Sequence, residues 1–423
     1  MKRLWIYLVG LLLLTACSDD TPEVPSELKG RTMLAYLVAN NGGLDLDKYL
    51  KYNLVDMYKG LSQSKDKKTL LVYYRPKVSD KSLSGPSFLK FEADGKGNIN
   101  GETPIPFDLL QIDRYFDNAS QVADLVIKQA EITASTSQNE VATDPDVMTS
   151  VLKKMVSMAP AGSYGLAMGS HASGWLEAYK THGRSFGDDS GYSINIPELA
   201  DVFRDAFAGQ KLDFVIFDAC MMANAEVAYE LRDVVDYVVA SALETSVYGF
   251  PYVRFFDELY KENVDYQAIC DEYVNFNKSL IDYDGYPYGW ATVAAINCKK
   301  MPELAEWVRV ALKGHASEIN RDLARKVFQY GAGSFANYSY DIVDLFENLE
   351  GSKPADLLRI MDEVVVAKNC LEGEDYQYGG IIIDKDRFCG MGMYLPYLEG
   401  NKKWDTYYMS SYEWPQAIEW NYK

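Results

Sequence analysis

Between Arg31 and Ser241 the hydrophobic positions switch repeatedly between two periods. Arg31 to Asn41 (RTMLAYLVANN) alternates and then runs apolar, which predicts a first strand ending in a polar loop. Leu50, Leu54, Met57 and Leu61 recur at helical spacing within Asp45–Leu61, with Asp45 or Asp47 available as cap. Thr69–Tyr74 (TLLVYY) predicts a second strand, and Phe88–Phe91 a short one inside a stretch rich in Gly, Ser, Asp and Lys. Val147, Val151, Met155 and Met158 mark a helix over Asp144–Met158, with Asp144 as cap and Pro145 in its first turn. Tyr164–Met168 predicts a third strand, stopping at Gly169-Ser170-His171. Thr181–Asn195 is polar and Gly-rich and predicts a loop, followed by a helix over Pro197–Phe207.

The densest stretch is Lys211–Arg232, KLDFVIFDACMMANAEVAYELR. Phe214 to Phe217 is apolar without a break, as in a strand covered on both faces of a parallel sheet. From Met221 the period becomes helical, through Ala225, Ala228 and Leu231, so Cys220 is expected where a strand ends and a helix begins. Tyr237–Ser241 predicts the next strand. Beyond it the pattern predicts helices within Val253–Tyr283, a strand over Trp290–Ile296, helices over Pro302–His315 and Pro354–Val366, and late strands at Gly380–Asp384 and Gly390–Pro396. Alternation of strand and helix predicts an α/β fold: a mostly parallel sheet flanked by helices on both faces, with further C-terminal α/β elements. The expected division is a catalytic unit over 31–300 and a C-terminal region over 301–423 packed on it.

Composition narrows the function. The chain has 423 residues and a formal net charge of −19, which argues against nucleic acid, whose phosphates call for clustered Lys and Arg. An acidic surface favours basic peptides weakly. Lys2 and Arg3, the apolar run Leu4–Leu14 and the sequence Leu14-Thr15-Ala16-Cys17 form a signal peptide over 1–16 ending in a lipobox, with Cys17 the expected site of lipidation. Residues 17–30 then read as a polar tether. Ser18-Asp19-Asp20 resembles the acidic export tag of surface lipoproteins, so the expected location is the bacterial outer membrane, extending to the cell surface. Lipidation of Cys17 would leave Cys220, Cys270, Cys298, Cys370 and Cys389, an odd number that guarantees one unpaired thiol in an exported chain.

A thiol at the carboxyl end of a parallel strand stands where such sheets bind ligands. Backbone N–H groups there favour the thiolate, although a buried Cys is also a common small hydrophobe. The chain has 3 histidines, His171, His182 and His315. His171 ends one predicted strand as Cys220 ends another. If those strands are neighbours, the pair suits acyl transfer: thiolate attack, proton donation by imidazolium and an oxyanion held by backbone N–H groups. His171 alone would read as an ordinary loop histidine. A serine hydrolase is excluded by the lack of a Gly-x-Ser-x-Gly elbow beside a histidine partner. A carbohydrate-binding lipoprotein suits the 32 tyrosines but leaves the Cys–His arrangement unexplained.

LAMGSHASGW around His171 and FVIFDACMMANAEVAYEL around Cys220 resemble the ordering found in caspase-, gingipain- and legumain-type cysteine peptidases, and within them the clostripain family. YLVANN, PAGSYGLAMGSH, VVDYVVASALETSVYGFPY and GMGMYLPY extend the resemblance over most of the mature chain. The resemblance implies a caspase-like fold and an endopeptidase cleaving after Arg or Lys. In it Cys220 is the nucleophile, His171 the general acid/base, and the backbone N–H groups of Ala172 and Cys220 the oxyanion hole. Asp218, and more weakly Glu244, would line the pocket for the basic side chain. Lys180 and Arg184 are candidate self-processing sites. No cofactor is implied as required. Some relatives use calcium, for which Asp188-Asp189 and Asp282-Tyr283-Asp284-Gly285 are acidic enough without EF-hand spacing. One departure is Ala172, where the family has Gly. It supports an alternative: a catalytically impaired surface relative that binds peptides or glycans.

Overall fold

The computed structural model describes residues 28–41, 45–135, 139–177, 185–280, 289–330, 339–375, 381–398 and 401–422. Cys17, Lys180, His182, Arg184 and the Asp282–Gly285 run lie outside them.

The first half alternates as its hydrophobic pattern predicts. β1 (Arg31–Val38), α1 (Leu46–Ser62), β2 (Lys67–Arg75) and β3 (Ser87–Asp94) lead to α2 (Ala119–Gln129) and β4 (Glu131–Ala134). Then come α3 (Pro145–Met158), β5 (Ser163–Gly169), β6 (Phe186–Asp189), β7 (Tyr192–Ile194), α4 (Ile196–Ala206), β8 (Leu212–Asp218), α5 (Ala225–Glu230) and β9 (Val235–Ala240). The remainder runs α6 (Tyr252–Phe255), α7 (Tyr266–Lys278), β10 (Ala291–Asn297), α8 (Met301–Gly314), α9 (Arg321–Ala324) and β11 (Tyr340–Asp341). It ends with α10 (Ile342–Glu350), α11 (Ala355–Val364), β12 (Val365–Leu371), β13 (Gly373–Asp375), β14 (Ile381–Ile383), β15 (Gly392–Met393), α12 (Lys402–Ser411) and α13 (Trp414–Ala417).

A 9-stranded sheet in the order β12-β10-β9-β8-β5-β1-β2-β3-β4 carries the fold. Its centre, β9-β8-β5-β1-β2, is parallel, and the strands at both edges are antiparallel. Alternate residues of each central strand enter two separate cores. Leu34, Tyr36, Val215 and Phe217 pack under α3, α4, α5 and α8, while Met33, Ala35, Phe214 and Ile216 pack under α1, α2, α6 and α7. Both faces are therefore covered, which is why these strands read as unbroken apolar runs.

Three expectations are corrected. Thr181–Asn195 is not a plain loop, because β6 and β7 pair as a hairpin within it. The helix after Cys220 does not begin at Met221. Asn224 accepts from the Val227 N–H at 3.0 Å and starts α5 at Ala225, since an Asn amide at that position satisfies a first-turn N–H better than any interior residue. The helix expected to reach Val366 ends at Val364, and Val365–Leu371 becomes β12 against β10. β-branched residues leaving a helix are readily taken by an open sheet edge, a pairing that helical periodicity cannot reveal. Asp45 also occupies the position before α1 without a side-chain cap bond, whereas Asp144 caps α3 through the Asp146 and Val147 N–H groups.

Candidate active site

The parallel ladder between β5 and β8 pairs Gly169 with Asp218. His171 and Cys220 each lie two residues beyond that rung, so one register carries both to the same sheet edge. They line a common cleft of about 190 Å³ with Leu46, Asn53, Ser170, Asp218, Glu244, Thr245, Ser246, Gly249 and Trp290. A larger hollow of about 860 Å³ lies at the opposite, amino-terminal ends of the strands, among Arg31, Ser163, Asp213 and Asp236. It contains neither thiol nor imidazole, so the smaller cleft is where the chemistry gathers.

Each side of the cleft is held by backbone. On the His171 side, Gly187 N–H donates to the His171 carbonyl at 2.8 Å and Ser173 N–H to the Ser185 carbonyl at 3.3 Å. These two bonds flank Ala172 in its bridge to Phe186, which turns the Ala172 N–H away from β6. Ala172 does not have a positive φ, whereas Gly174 sits at +60°. A Cβ at Ala172 therefore meets no left-handed backbone strain. On the other side, Met221 N–H donates to the Leu243 carbonyl and Ala223 N–H to the Ser241 carbonyl, both at 2.9 Å. Met221 itself has a φ of 58°, a left-handed turn directly after Cys220.

Electrostatics keep the resting thiol protonated. Burial, with Glu244 and Asp218 nearby, pushes the Cys220 thiol up to about 12, opposed by the Thr245 N–H donating to Sγ at 3.3 Å. The helix-terminus stabilisation expected from sequence is absent, because α5 starts five residues later. His171 faces Asn41, whose Nδ2 is 3.1 Å from Nε2. Leu46 N–H donates to Asn41 Oδ1 at 3.4 Å, which orients the side chain that meets the ring.

Asp218 forms the floor. It lies on the β8 face that carries Phe214 and Ile216, toward α1 and α6. Phe250 N–H donates to its Oδ2 at 3.2 Å. Burial raises the carboxyl to about 6, with a further push from Asp56, while the Tyr252 hydroxyl stands close without reaching hydrogen-bond geometry. Burial also raises Asp56 to about 6, offset by the Val253 N–H. Gly249 has a φ of +67°, and a Cβ there would meet both Asp218 oxygens at 2.5 Å. Asn41, Asn53, Asp56, Thr245, Gly249 and Tyr252 were not assigned roles from sequence. The Asn-rich end of YLVANN and the Gly-Phe-Pro-Tyr turn were the available signals, but neither states which atoms meet.

Asp189, a candidate calcium ligand, is engaged elsewhere. Its oxygens accept from Asn40 Nδ2 at 2.5 Å, Arg75 Nε at 2.9 Å and Ala142 N–H at 2.7 Å. Among the described residues no group of three or more His, Cys, Asp or Glu is arranged to hold a metal. Cys220, Cys270, Cys298, Cys370 and Cys389 are all unpaired thiols, of which Cys220 is partly exposed. No helix among the described residues is long and apolar enough to cross a membrane.

A parallel α/β sheet with a Cys and a His at adjacent strand ends defines the caspase-like class of fold. The chain belongs to the clostripain family, peptidase family C11, whose profile matches residues 35–423. Clostripain of Hathewaya histolytica is 25% identical over 327 residues, a match spanning 63% of this chain and 59% of that protein. A secreted C11 cysteine protease from Bacteroides thetaiotaomicron, solved with an irreversible peptide inhibitor, superposes with a TM-score of 0.69 at 23% identity, covering 93% of this chain and 100% of that one. An inactive zymogen C11 protease from Parabacteroides distasonis superposes at 0.67 with 20% identity, covering 94% and 99%. The last two likenesses establish the caspase-like C11 fold.

Proposed function

We propose that this protein is an exported, lipid-anchored cysteine endopeptidase that cleaves after Arg or Lys. The observation that supports this best is the Gly169–Asp218 register, which gathers His171, Cys220 and Asp218 in one cleft. The basic side chain of the substrate enters beside Gly249 and meets the Asp218 carboxylate in a charge-assisted contact. Its positive charge removes part of the penalty that Asp218 imposes on a thiolate at Cys220. His171 takes the thiol proton and Cys220 Sγ attacks the carbonyl carbon. The resulting oxyanion is held by the Ala172 and Cys220 N–H groups. His171 then protonates the leaving amine, and water hydrolyses the thioester by the reverse sequence. None of these steps uses a metal, and a chelator is expected to leave the rate unchanged; a loss would instead reveal a calcium site.

Lipidation at Cys17 is expected to hold the protein at the outer membrane, so Cys17→Ser should move it to the soluble fraction. Self-cleavage is proposed at Lys180 or Arg184, and would appear as two bands on a denaturing gel that Cys220→Ala reduces to one. The central test uses fluorogenic peptides ending in Arg, Lys, Asp or Leu. Cleavage of the Arg or Lys peptides, lost in Cys220→Ala, is expected. Tight peptide or glycan binding without cleavage would favour the impaired relative, and equal cleavage by the mutant would remove Cys220 from the mechanism.

A further inference from the structure

The His171 loop and the Cys220 turn come from separate crossovers, yet both rest on the same two tyrosines near the end of the chain. Trp175, four residues after His171 and fully buried, packs on Tyr394 with ring centroids 4.3 Å apart and edge-on against Tyr408 at 5.0 Å. Glu226, six residues after Cys220 and also fully buried, accepts through Oε1 from the Tyr394 N–H at 2.8 Å and from the Tyr408 hydroxyl at 2.6 Å. The backbone adds a third tie, with Gly392 N–H donating to the Ala223 carbonyl at 3.2 Å. On its other side a Cβ on Gly392 would fall 1.9 Å from Ser339 Oγ, so a larger residue would force Ser339 to shift.

The tyrosines are themselves fixed. Tyr394 donates through its hydroxyl to Asp405 Oδ1 at 2.9 Å, and Tyr397 N–H donates to the same oxygen at 2.7 Å, locking the β15 segment onto α12. A carboxyl group inside an apolar aromatic cluster is costly unless its bonds are made; here Oε1 makes two, while Oε2 is buried without a hydrogen-bond partner. Glu226 is thus held to one position by geometry, and with it the start of α5.

We propose that Tyr394 and Tyr408 form a brace, keyed by Glu226 on one side and Trp175 on the other, that sets the distance between His171 and Cys220. Glu226 is then a positioning residue: it touches no reacting atom but fixes the turn that carries Cys220 relative to the loop that carries His171. The inference rests on the reading of Cys220 and His171 as the catalytic pair. Small errors in such a distance are expensive in rate, because proton transfer and attack both require near-contact geometry. The same brace joins chain on either side of the segment that carries Lys180 and Arg184, so a nicked protein would keep both halves of the site in place.

The test compares Glu226→Ala, Glu226→Gln, Tyr408→Phe and Trp175→Leu in the full chain, with Phe346→Leu as a destabilised control in the buried contact between α10 and Trp307. Steady-state kinetics are measured on an Arg or Lys peptide well below each melting temperature. The expected result is a fall in kcat on the order of tenfold or more for Glu226→Ala, with KM within about twofold. Glu226→Gln keeps the accepting oxygen and should recover most of the rate. Trp175→Leu combined with Glu226→Ala should lose no more than the worse single variant, since both break one brace. Phe346→Leu should lower the melting temperature without touching kcat. Should Glu226→Ala fail to fold, Tyr408→Phe, which deletes one hydroxyl, decides. The brace is overturned if these variants lose stability like Phe346→Leu while kcat stays within about twofold, or if the double variant is additive. Unchanged cleavage by Cys220→Ala would overturn the catalytic reading instead.

Discussion

Asp218 illustrates how burial turns a common carboxylate into a pH-dependent group. Its pKa is raised to about 6, so it is ionised at neutral pH and protonated as pH falls through about 6. Only the ionised form attracts an Arg or Lys side chain. kcat/KM on basic peptides should therefore fall as pH drops below about 6, toward tenfold per unit, and Asp218→Asn should show a low rate without that limb. Persistence of the limb in Asp218→Asn would assign it to another group. Gly249 guards the same pocket. Gly249→Ala places a methyl 2.5 Å from both Asp218 oxygens at a φ of +67°, and should cost at least tenfold in kcat/KM with an unchanged circular dichroism spectrum. Asn41 acts on the other partner. Its amide nitrogen lies 3.1 Å from His171 Nε2. Asn41→Asp would place a carboxylate there and stabilise the imidazolium. Faster alkylation of Cys220 by iodoacetamide at pH 7 is the expected outcome, and an unchanged rate would sever Asn41 from the pair.

At the scale of elements, the turn from β8 into α5 decides where the thiol stands. Asn224 serves it twice: Oδ1 caps α5 through the Val227 N–H, and Nδ2 donates to the Met221 carbonyl at 2.8 Å. Asn224→Ala removes the cap and leaves buried backbone groups unpaired, costing about 2 kcal/mol. Thermal unfolding should register this as a drop of a few degrees, and Asn224→Ser should restore part of it through the cap alone. No change in melting temperature would mean that the strand ladder, not the cap, holds the turn. Strand β6 does comparable work on the other side by bonding the His171 carbonyl through Gly187. The polar composition of that segment concealed a hairpin, because its pairing partner is its own next few residues and the loop beside it.

Over the whole molecule, burial raises several carboxyls together: Asp56 and Asp218 to about 6, Glu226 and Glu230 to about 7. Each holds its proton more tightly folded than unfolded. Between the unfolded pKa near 4 and these raised values the native state binds more protons, so stability falls as pH rises through that interval. The net charge of −19 adds repulsion in the same direction. The melting temperature should be higher at pH 5 than at pH 7.5, and Glu226→Gln should narrow the difference. A melting temperature that rises across this range would contradict both the burial and the sign of the shifts.

Local pattern was enough for much of this. Apolar runs such as Phe214–Phe217 are what a strand covered on both faces requires, and alternation of such runs with helical stripes leaves few arrangements besides a parallel sheet. A histidine and a cysteine closing two of those strands pointed to the cleft that both of them line. What only the folded chain decided is where distant segments meet. The start of α5 at Ala225, the pairing of β12 with β10, the Asn41 amide on His171 and the tyrosines that tie Trp175 to Glu226 all depend on partners far away in sequence. Periodicity reports which face of an element is buried, because burial repeats with the element's own geometry. It carries no record of which other segment does the burying, and that choice places His171, Cys220 and Asp218 around one cleft.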